Sequence, residues 1–361
     1  MTFRKVVLYI FVVLFSLTSI IVNVHSASWS WNRAQGPATS ANASNILRDV
    51  CMVDSIDGWA VGTEGLIIRW DGISWKSVPS PTTAQLWSID MVSSNEGYAV
   101  ASATDYPITE SVIRWDGTSW TNMTTPSGYL HSVDMISSTD GWAVGTAGTI
   151  MRWDGTSWSR VECPVNVPLY SVDMVSSTDG WAVGRSSVIL RWDGTSWNVV
   201  KEPNISPAIS LWSVDMVSST DGWAVEDSGK ILRWDGTSWE YFTTPLPVNQ
   251  EYHLFSVNMV SSTDGWAVGS DGIIIHWDGT EWNNVTSPTG KWLESVNMVS
   301  SDDGWIVGAD RSIFRWQEEI PDFFIIYAII IGVAALVLAA LLYLRYARKK
   351  NAASANTRKK G

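Results

Sequence analysis

The sequence predicts an all-β fold, a seven-bladed β-propeller whose N-terminal strand closes the last blade, followed by one C-terminal transmembrane helix. Three observations carry this. The nonapeptide SSTDGWAVG stands at 137–145 and recurs at 176–184 and 261–269. Its aromatic residue returns seven times, at Trp59, Tyr98, Trp142, Trp181, Trp223, Trp266 and Trp305, at spacings of 39, 44, 39, 42, 43 and 39 residues, the length of a propeller blade. Residues 323–344, FFIIYAIIIGVAALVLAALLYL, run 22 residues without a charge, where a spanning helix needs about 20.

Each element follows in order. Residues 1–26 carry Arg4 and Lys5, an apolar stretch and a small-residue end at VHS, the pattern of a cleaved signal peptide. Residues 27–317 hold the repeats. Within one unit, SVDMV (132–136), GWAVG (141–145), TIMRW (149–153) and SWSRV (157–161) are short β-branched and aromatic runs between turn residues. They predict four strands per unit with no helical periodicity. The Asp-Gly of the repeat is expected at a tight turn, Asp bonding backbone amides and Gly taking positive φ, with the following Trp filling the wedge between blades. The seventh unit stops at IFRWQEEIPD, while Trp31 and Pro37 keep the Trp-to-Pro spacing of six seen in every complete unit. The N-terminal strand therefore completes the last blade and removes its open edge. Residues 318–322 form a linker, 323–344 the membrane helix and 345–361 a tail with seven Lys or Arg and no acid, placed in the cytoplasm by the positive-inside rule.

That arrangement is a single-pass type I protein of the cell membrane with an extracytoplasmic propeller. Setting aside the two basic residues of the signal and the seven of the tail leaves 15 Lys and Arg against all 36 acids, a net charge of −21. Such a surface repels phosphate backbones and excludes nucleic acid as a partner. Four sequons, at Asn42, Asn122, Asn204 and Asn284, are glycosylation candidates. Cys51 and Cys163 are too few for a disulfide framework and are expected too far apart to bridge.

Repeated residues are read as architecture. Of 24 Trp, all but Trp29, Trp87, Trp212 and Trp292 hold a repeated position. Arg69, Arg114, Arg152, Arg191, Arg233 and Arg315, with His276 as the exception, form a ring expected to stack on Trp or bond turn carbonyls. Asp90, Asp134, Asp173 and Asp215, with Asn258, Asn297 and Cys51, form another on the innermost strand, open to two readings: a channel cation site, or hydrogen bonding within the blades.

Binding is expected where the blades differ. The first and third turns have constant length. The second connection lengthens from 11 to 17 residues in unit two, with the insertion ASATDYPITE, and the interblade loops range from 12 to 18. The variable connections share one face. The third strand of the last blade runs from that face toward the invariant one and leads into the membrane segment, so the variable face points outward. Immediately before the repeated Ser of the innermost strand stand Arg48, Trp87, His131, Tyr170, Trp212, Phe255 and Glu294. These seven are the ligand-binding candidates at the channel rim, a stacking platform for a glycan or an extended peptide; the alternative is that they plug the funnel.

The stretch DGWAVGTAGTIMRWDGTSW resembles the repeat of the photosystem II assembly and stability factor propellers, in which GWAVG, a Gly and a DGG-x-TW turn follow in that order. It is also similar to the Asp-box repeat of sialidase-like propellers, S-x-D-x-G-x-T-W. The resemblance covers about residues 28–317 and implies a seven-bladed fold and a role in assembling a membrane or envelope complex. Here the turn runs from Asp to Trp in four residues rather than five and Arg replaces the leading Ser, so no role in photosynthesis is implied.

A sialidase-like hydrolase would need a convergent Arg clamp and a Tyr nucleophile; Arg48, Arg185 and Arg311 fall outside the repeat in blades 1, 4 and 7 without a family motif around them. No G-x-S-x-G, P-loop, H-E-x-x-H or CxxC occurs, and His131, His253 and His276 lack ligand spacing. The expectation is a non-catalytic binding module for protein or glycan, without cofactor or metal, with an assembly scaffold as the second reading and a hydrolase last.

Overall fold

A computed structural model describes residues 29–37, 45–102, 111–200, 209–247, 252–318, 342, 343 and 345. They build seven four-stranded sheets, each with its strands in chain order except the last, in which Trp29–Arg33 lies beside Ile313–Glu318, then Asp303–Gly308, then Leu293–Ser300. The seven-bladed propeller is thus closed by the N-terminal strand as the spacing predicts. Leu342, Tyr343 and Arg345 are helical. Among the described residues no helix is long and apolar enough to cross a membrane. The signal segment 1–26, the linker beyond residue 318, the tail beyond Arg345, Asn42, Asn204 and most of 323–344 lie outside the described residues. So do residues 103–110 of the unit-two insertion. Asn122 and Asn284 are exposed at outermost strands.

Blade three shows why the repeat folds as it does. Its innermost strand Leu130–Ser137, second strand Asp140–Gly145, third strand Ile150–Trp153 and outermost strand Trp158–Val161 pair antiparallel. Trp142 is fully buried and packs across the blade boundary onto Trp192, with ring centroids 4.7 Å apart, and edge-on to Trp197 at 5.4 Å. The same triad recurs between blades, for instance Trp181 on Trp234 and Trp239. Aromatic edge and face contacts of this size make each boundary part of a continuous core.

The Arg ring stacks on this layer: Arg152 lies 5.1 Å from the Trp142 ring centre. Its polar partner differs from the expected turn carbonyl. Arg152 donates to both oxygens of Asp140, at 3.0 and 3.3 Å, and Arg69, Arg191 and Arg315 do the same with Asp57, Asp179 and Asp303. A planar fork matches a carboxylate better than a single carbonyl oxygen. Blade two changes both partners together, Glu96 meeting Arg114 at 2.6 Å and the hydroxyl of Tyr98 at 3.1 Å.

The expectation for the Gly of DGW is corrected. The hairpin turn is Ser138-Thr139, with Ser137 opposite Asp140, so Gly141 stands within a strand and does not have positive φ. A Cβ there would meet Met135 Sδ at 2.3 Å; glycine leaves the surface on which the preceding strand's Met lies. The positive-φ glycines are those of the WDG turn, such as Gly155 at 89°, whose neighbour Asp154 accepts amides from Thr156 and Ser157, each at 2.8 Å. Gly145 closes the repeat for a third reason: a Cβ would stand 1.8 Å from the carbonyl oxygen of Tyr129. Gly145→Ala is expected to destabilise by about 2 kcal/mol or more because backbone must move. Gly141→Ala should cost less and be partly rescued by Met135→Ala. Thermal melts of the two variants and of the double mutant check this.

The ring of Asp and Asn on the innermost strands binds chiefly blade to blade, although Asp90 Oδ1 also accepts the Met91 amide of its own blade at 2.9 Å. Met135 N–H donates to Asp90 Oδ2 at 2.7 Å, Met174 to Asp134 at 2.8 Å, Met216 to Asp173 at 2.6 Å and Met259 to Asp215 at 2.6 Å. Asn258 and Asn297 accept from Met298 and Met52 at 2.8 and 2.9 Å, the latter across the seam between blades seven and one. Every residue in the hydrogen-bonded frame needs a partner when removed from water; here the side chains supply what sheet pairing cannot. Among the described residues no group of three His, Cys, Asp or Glu is placed to hold a metal ion. Cys51 and Cys163 are both free thiols.

Candidate functional site

The rim residue of each blade occupies one structural seat. In blade three Leu130 pairs with Gly145 and Ser132 with Val144, so His131 between them is the extra residue of a β-bulge. The same register shift occurs in all seven innermost strands. A bulge leaves its residue out of the ladder and re-aims its side chain. The buried Leu before it and the Ser or Asp after it belong to the core and to the interblade bonds; the bulged side chain alone is released toward the channel mouth.

All seven predicted rim residues, Arg48, Trp87, His131, Tyr170, Trp212, Phe255 and Glu294, line one funnel of about 450 Å³, with Asp227, His253 and Trp292 added. From Arg48 to Phe255 each contacts the next around it, and Phe255 then meets Trp292 at 5.6 Å. Arg48 lies 4.7 Å from the Trp87 ring centre; Trp87 meets His131 edge-on at 5.5 Å; His131 meets Tyr170 at 5.6 Å. Tyr170 stacks on Trp212 at 4.4 Å and 21°, and Trp212 meets Phe255 edge-on at 6.3 Å. Glu294 pairs with Arg48 at 2.9 Å across the seam between blades seven and one. The rings thus brace each other as walls, and the space between them stays open.

Burial pushes the His131 imidazole down to about 4, so at neutral pH it serves as an uncharged ring. Burial raises the Glu294 carboxyl and Arg48 pulls it back down. The funnel's other ionisable groups are the Arg48–Glu294 pair and Asp227, which stands beside His253. Of Arg48, Arg185 and Arg311, only Arg48 lines the funnel.

Three lining residues escaped the sequence reading. Trp292, 51 % exposed, and His253 stand on interblade loops, where the repeats have no common register; Trp292 was nonetheless marked by being one of four Trp outside the repeat. Asp227 had a clearer signal, because blade five reads GWAVED where four others read GWAVG. Its position matches Thr63 and Ser270, whose hydroxyls accept the amides of Ile46 and His253 at 3.1 Å each. Asp227 Oδ2 accepts the Ser210 amide at 3.2 Å in the same way. Its other oxygen accepts the indole N–H of Trp212 and lies 3.6 Å from His253 Nδ1.

Fold and site together define a seven-bladed β-propeller with an aromatic, open-mouthed funnel at its axis. No protein-family model and no curated protein matches the sequence. Among solved structures the chain is similar to YCF48 bound to D1 peptide, at 18 % identity and TM-score 0.63, over 81 % of this chain and 95 % of that one. YCF48 from Cyanidioschyzon merolae is similar at 16 % identity and TM-score 0.62, over 80 % and 98 %. A catalytically inactive virginiamycin B lyase from Staphylococcus aureus with quinupristin shares 14 % identity and TM-score 0.67, over 81 % and 99 %. At these identities the likeness is one of fold.

Proposed function

We propose that this chain is a non-catalytic binding module that takes an extended protein segment into the rim funnel. The observation that carries the reading is the set of seven bulge residues, one from each blade, lining an open space of about 450 Å³, a volume within the range of ordinary binding sites. Rigid aromatics braced by their neighbours lose little conformational freedom when a ligand arrives, which favours affinity. A protein ligand is preferred to a glycan because a similar propeller, YCF48, is described with a bound peptide. The apolar run 323–344 and the basic tail support a membrane-anchored form with the propeller outside the cytoplasm and its variable face outward. An assembly scaffold for a membrane complex is the second reading, favoured by the same neighbour. In that role the bound segment would belong to a membrane partner.

The test is a selection of randomised peptides on the wild-type protein, followed by binding of the selected peptides to a folded Trp87→Ala, Tyr170→Ala, Trp212→Ala variant. Loss of binding by tenfold or more is expected. Retained affinity would remove the rim from consideration and return those rings to the core.

A further inference from the structure

The funnel already contains one cation, and its setting is informative. Arg48 lies over the Trp87 ring at 4.7 Å and pairs with Glu294 at 2.9 Å, an aromatic face and a carboxylate acting together on one guanidinium. The opposite wall repeats the two ingredients. Tyr170 and Trp212 stack there at 4.4 Å, and Asp227 stands against them. Asp227 pairs with His253 at 3.6 Å and with no lysine or arginine among the described residues.

We propose that the Tyr170, Trp212 and Asp227 wall receives a cationic side chain of the bound segment, a lysine ammonium or an arginine guanidinium, and that this group is what the funnel selects. The inference rests on the binding role proposed above and names its ligand chemistry. A carboxylate has about four acceptor sites. Those of Asp227 hold the Trp212 indole N–H and the Ser210 amide, leaving capacity for an incoming donor. Accepting the indole N–H also shifts electron density onto the Trp212 ring, strengthening its attraction for a cation.

The surroundings point the same way. The seven innermost strands carry a single Lys or Arg, Arg48, paired with Glu294; Arg185, bridged to Ser210 on the neighbouring connection, is the other arginine whose charge reaches Tyr170. The whole chain has a net charge of −12. A net negative charge draws cations toward the protein and turns anions away. A bound phosphate or an acidic segment would face Asp227 unpaired.

The experiment titrates the full-length protein with five-residue peptides, acetyl-Gly-Gly-X-Gly-Gly-amide, in which X is Lys, Arg, norleucine or Glu, and with methylammonium as a free small cation. The Lys and Arg peptides should bind at least tenfold more tightly than norleucine, and the Glu peptide should not bind. Asp227→Asn, which keeps size and shape, should weaken the Lys and Arg peptides tenfold or more and leave norleucine unchanged; an unaltered melting temperature confirms its fold. Raising the salt concentration should weaken the Lys and Arg peptides and leave norleucine unchanged. Methylammonium binding as tightly as the Lys peptide would keep the cation site and make its source a small amine. Equal binding of Lys and norleucine, both abolished by Tyr170→Ala with Trp212→Ala, would overturn the cation inference while the peptide site stands. Binding indifferent to Asp227→Asn, or no binding by any cationic probe, would overturn the inference, and the selection on the rim variant decides the binding role separately.

Discussion

Trp31→Ala is expected to destabilise the propeller by about 3–5 kcal/mol, the usual loss when a large buried aromatic is removed. Trp31 is 3 % exposed and sits edge-on to Trp266 at 5.3 Å and tilted against Trp316 at 5.5 Å. It is the only core side chain that the closing strand Trp29–Arg33 contributes to the hydrophobic cluster of blade seven. Deleting that strand should go further. It would expose the edge of Ile313–Glu318 and turn a closed ring into an open one, with aggregation following from an unpaired strand. Melting temperature and light scattering on the two variants check both effects. A Trp31→Ala protein that melts with the wild type would show that blade seven packs on blade six without needing this ring.

The second large effect is expected in the channel. Burial raises the carboxyls of Asp49 and Asp215 to about 6 and those of Asp134 and Asp173 well above the usual range, where neighbouring carboxylates add to the burial. A carboxyl raised in the folded state stabilises fully below its unfolded value near 3.8, and that contribution disappears as pH rises through the folded value. At neutral pH the ring therefore opposes folding. Asn258 and Asn297 already accept the same Met amides in blades six and seven without a charge. Asp134→Asn with Asp173→Asn should accordingly raise stability at pH 8, on the order of 1–3 kcal/mol, and leave it unchanged at pH 4. The difference between variant and wild type isolates the carboxylates, because His131, held down to about 4 by burial, works in the opposite direction as pH falls. A double variant less stable than wild type at pH 8 would mean that the charge on these acceptors is worth more than its burial costs.

Much of the fold can be read from the sequence because seven copies align themselves, so blade count, strand order and the closing strand need no tertiary information. The rim was legible for the same reason: one column of the repeat varies while its neighbours do not. Chemistry shared between two columns was harder to see. The 12-residue separation of Asp57 from Arg69, Asp140 from Arg152 and Asp179 from Arg191 is constant, yet nothing in it announces that the two side chains meet across paired strands. Gly141 was assigned to a turn because Asp-Gly often makes one. The turn lies two residues earlier, and the demand on glycine comes from Met135, which no local pattern displays. Asp227, His253 and Trp292 lie where the loops depart from the repeat, and only the folded ring brings them beside Trp212.

The β-bulge at the head of every innermost strand has a bearing on how such a protein changes over generations. A side chain released from the ladder can be exchanged without disturbing pairing, core or interblade bonds. The chain carries its own demonstration: Arg, Trp, His, Tyr, Trp, Phe and Glu sit on the same backbone in seven successive blades. Specificity and scaffold are thereby held in separate residues, so recognition can be rewritten one seat at a time while the ring that supports it stays as it is.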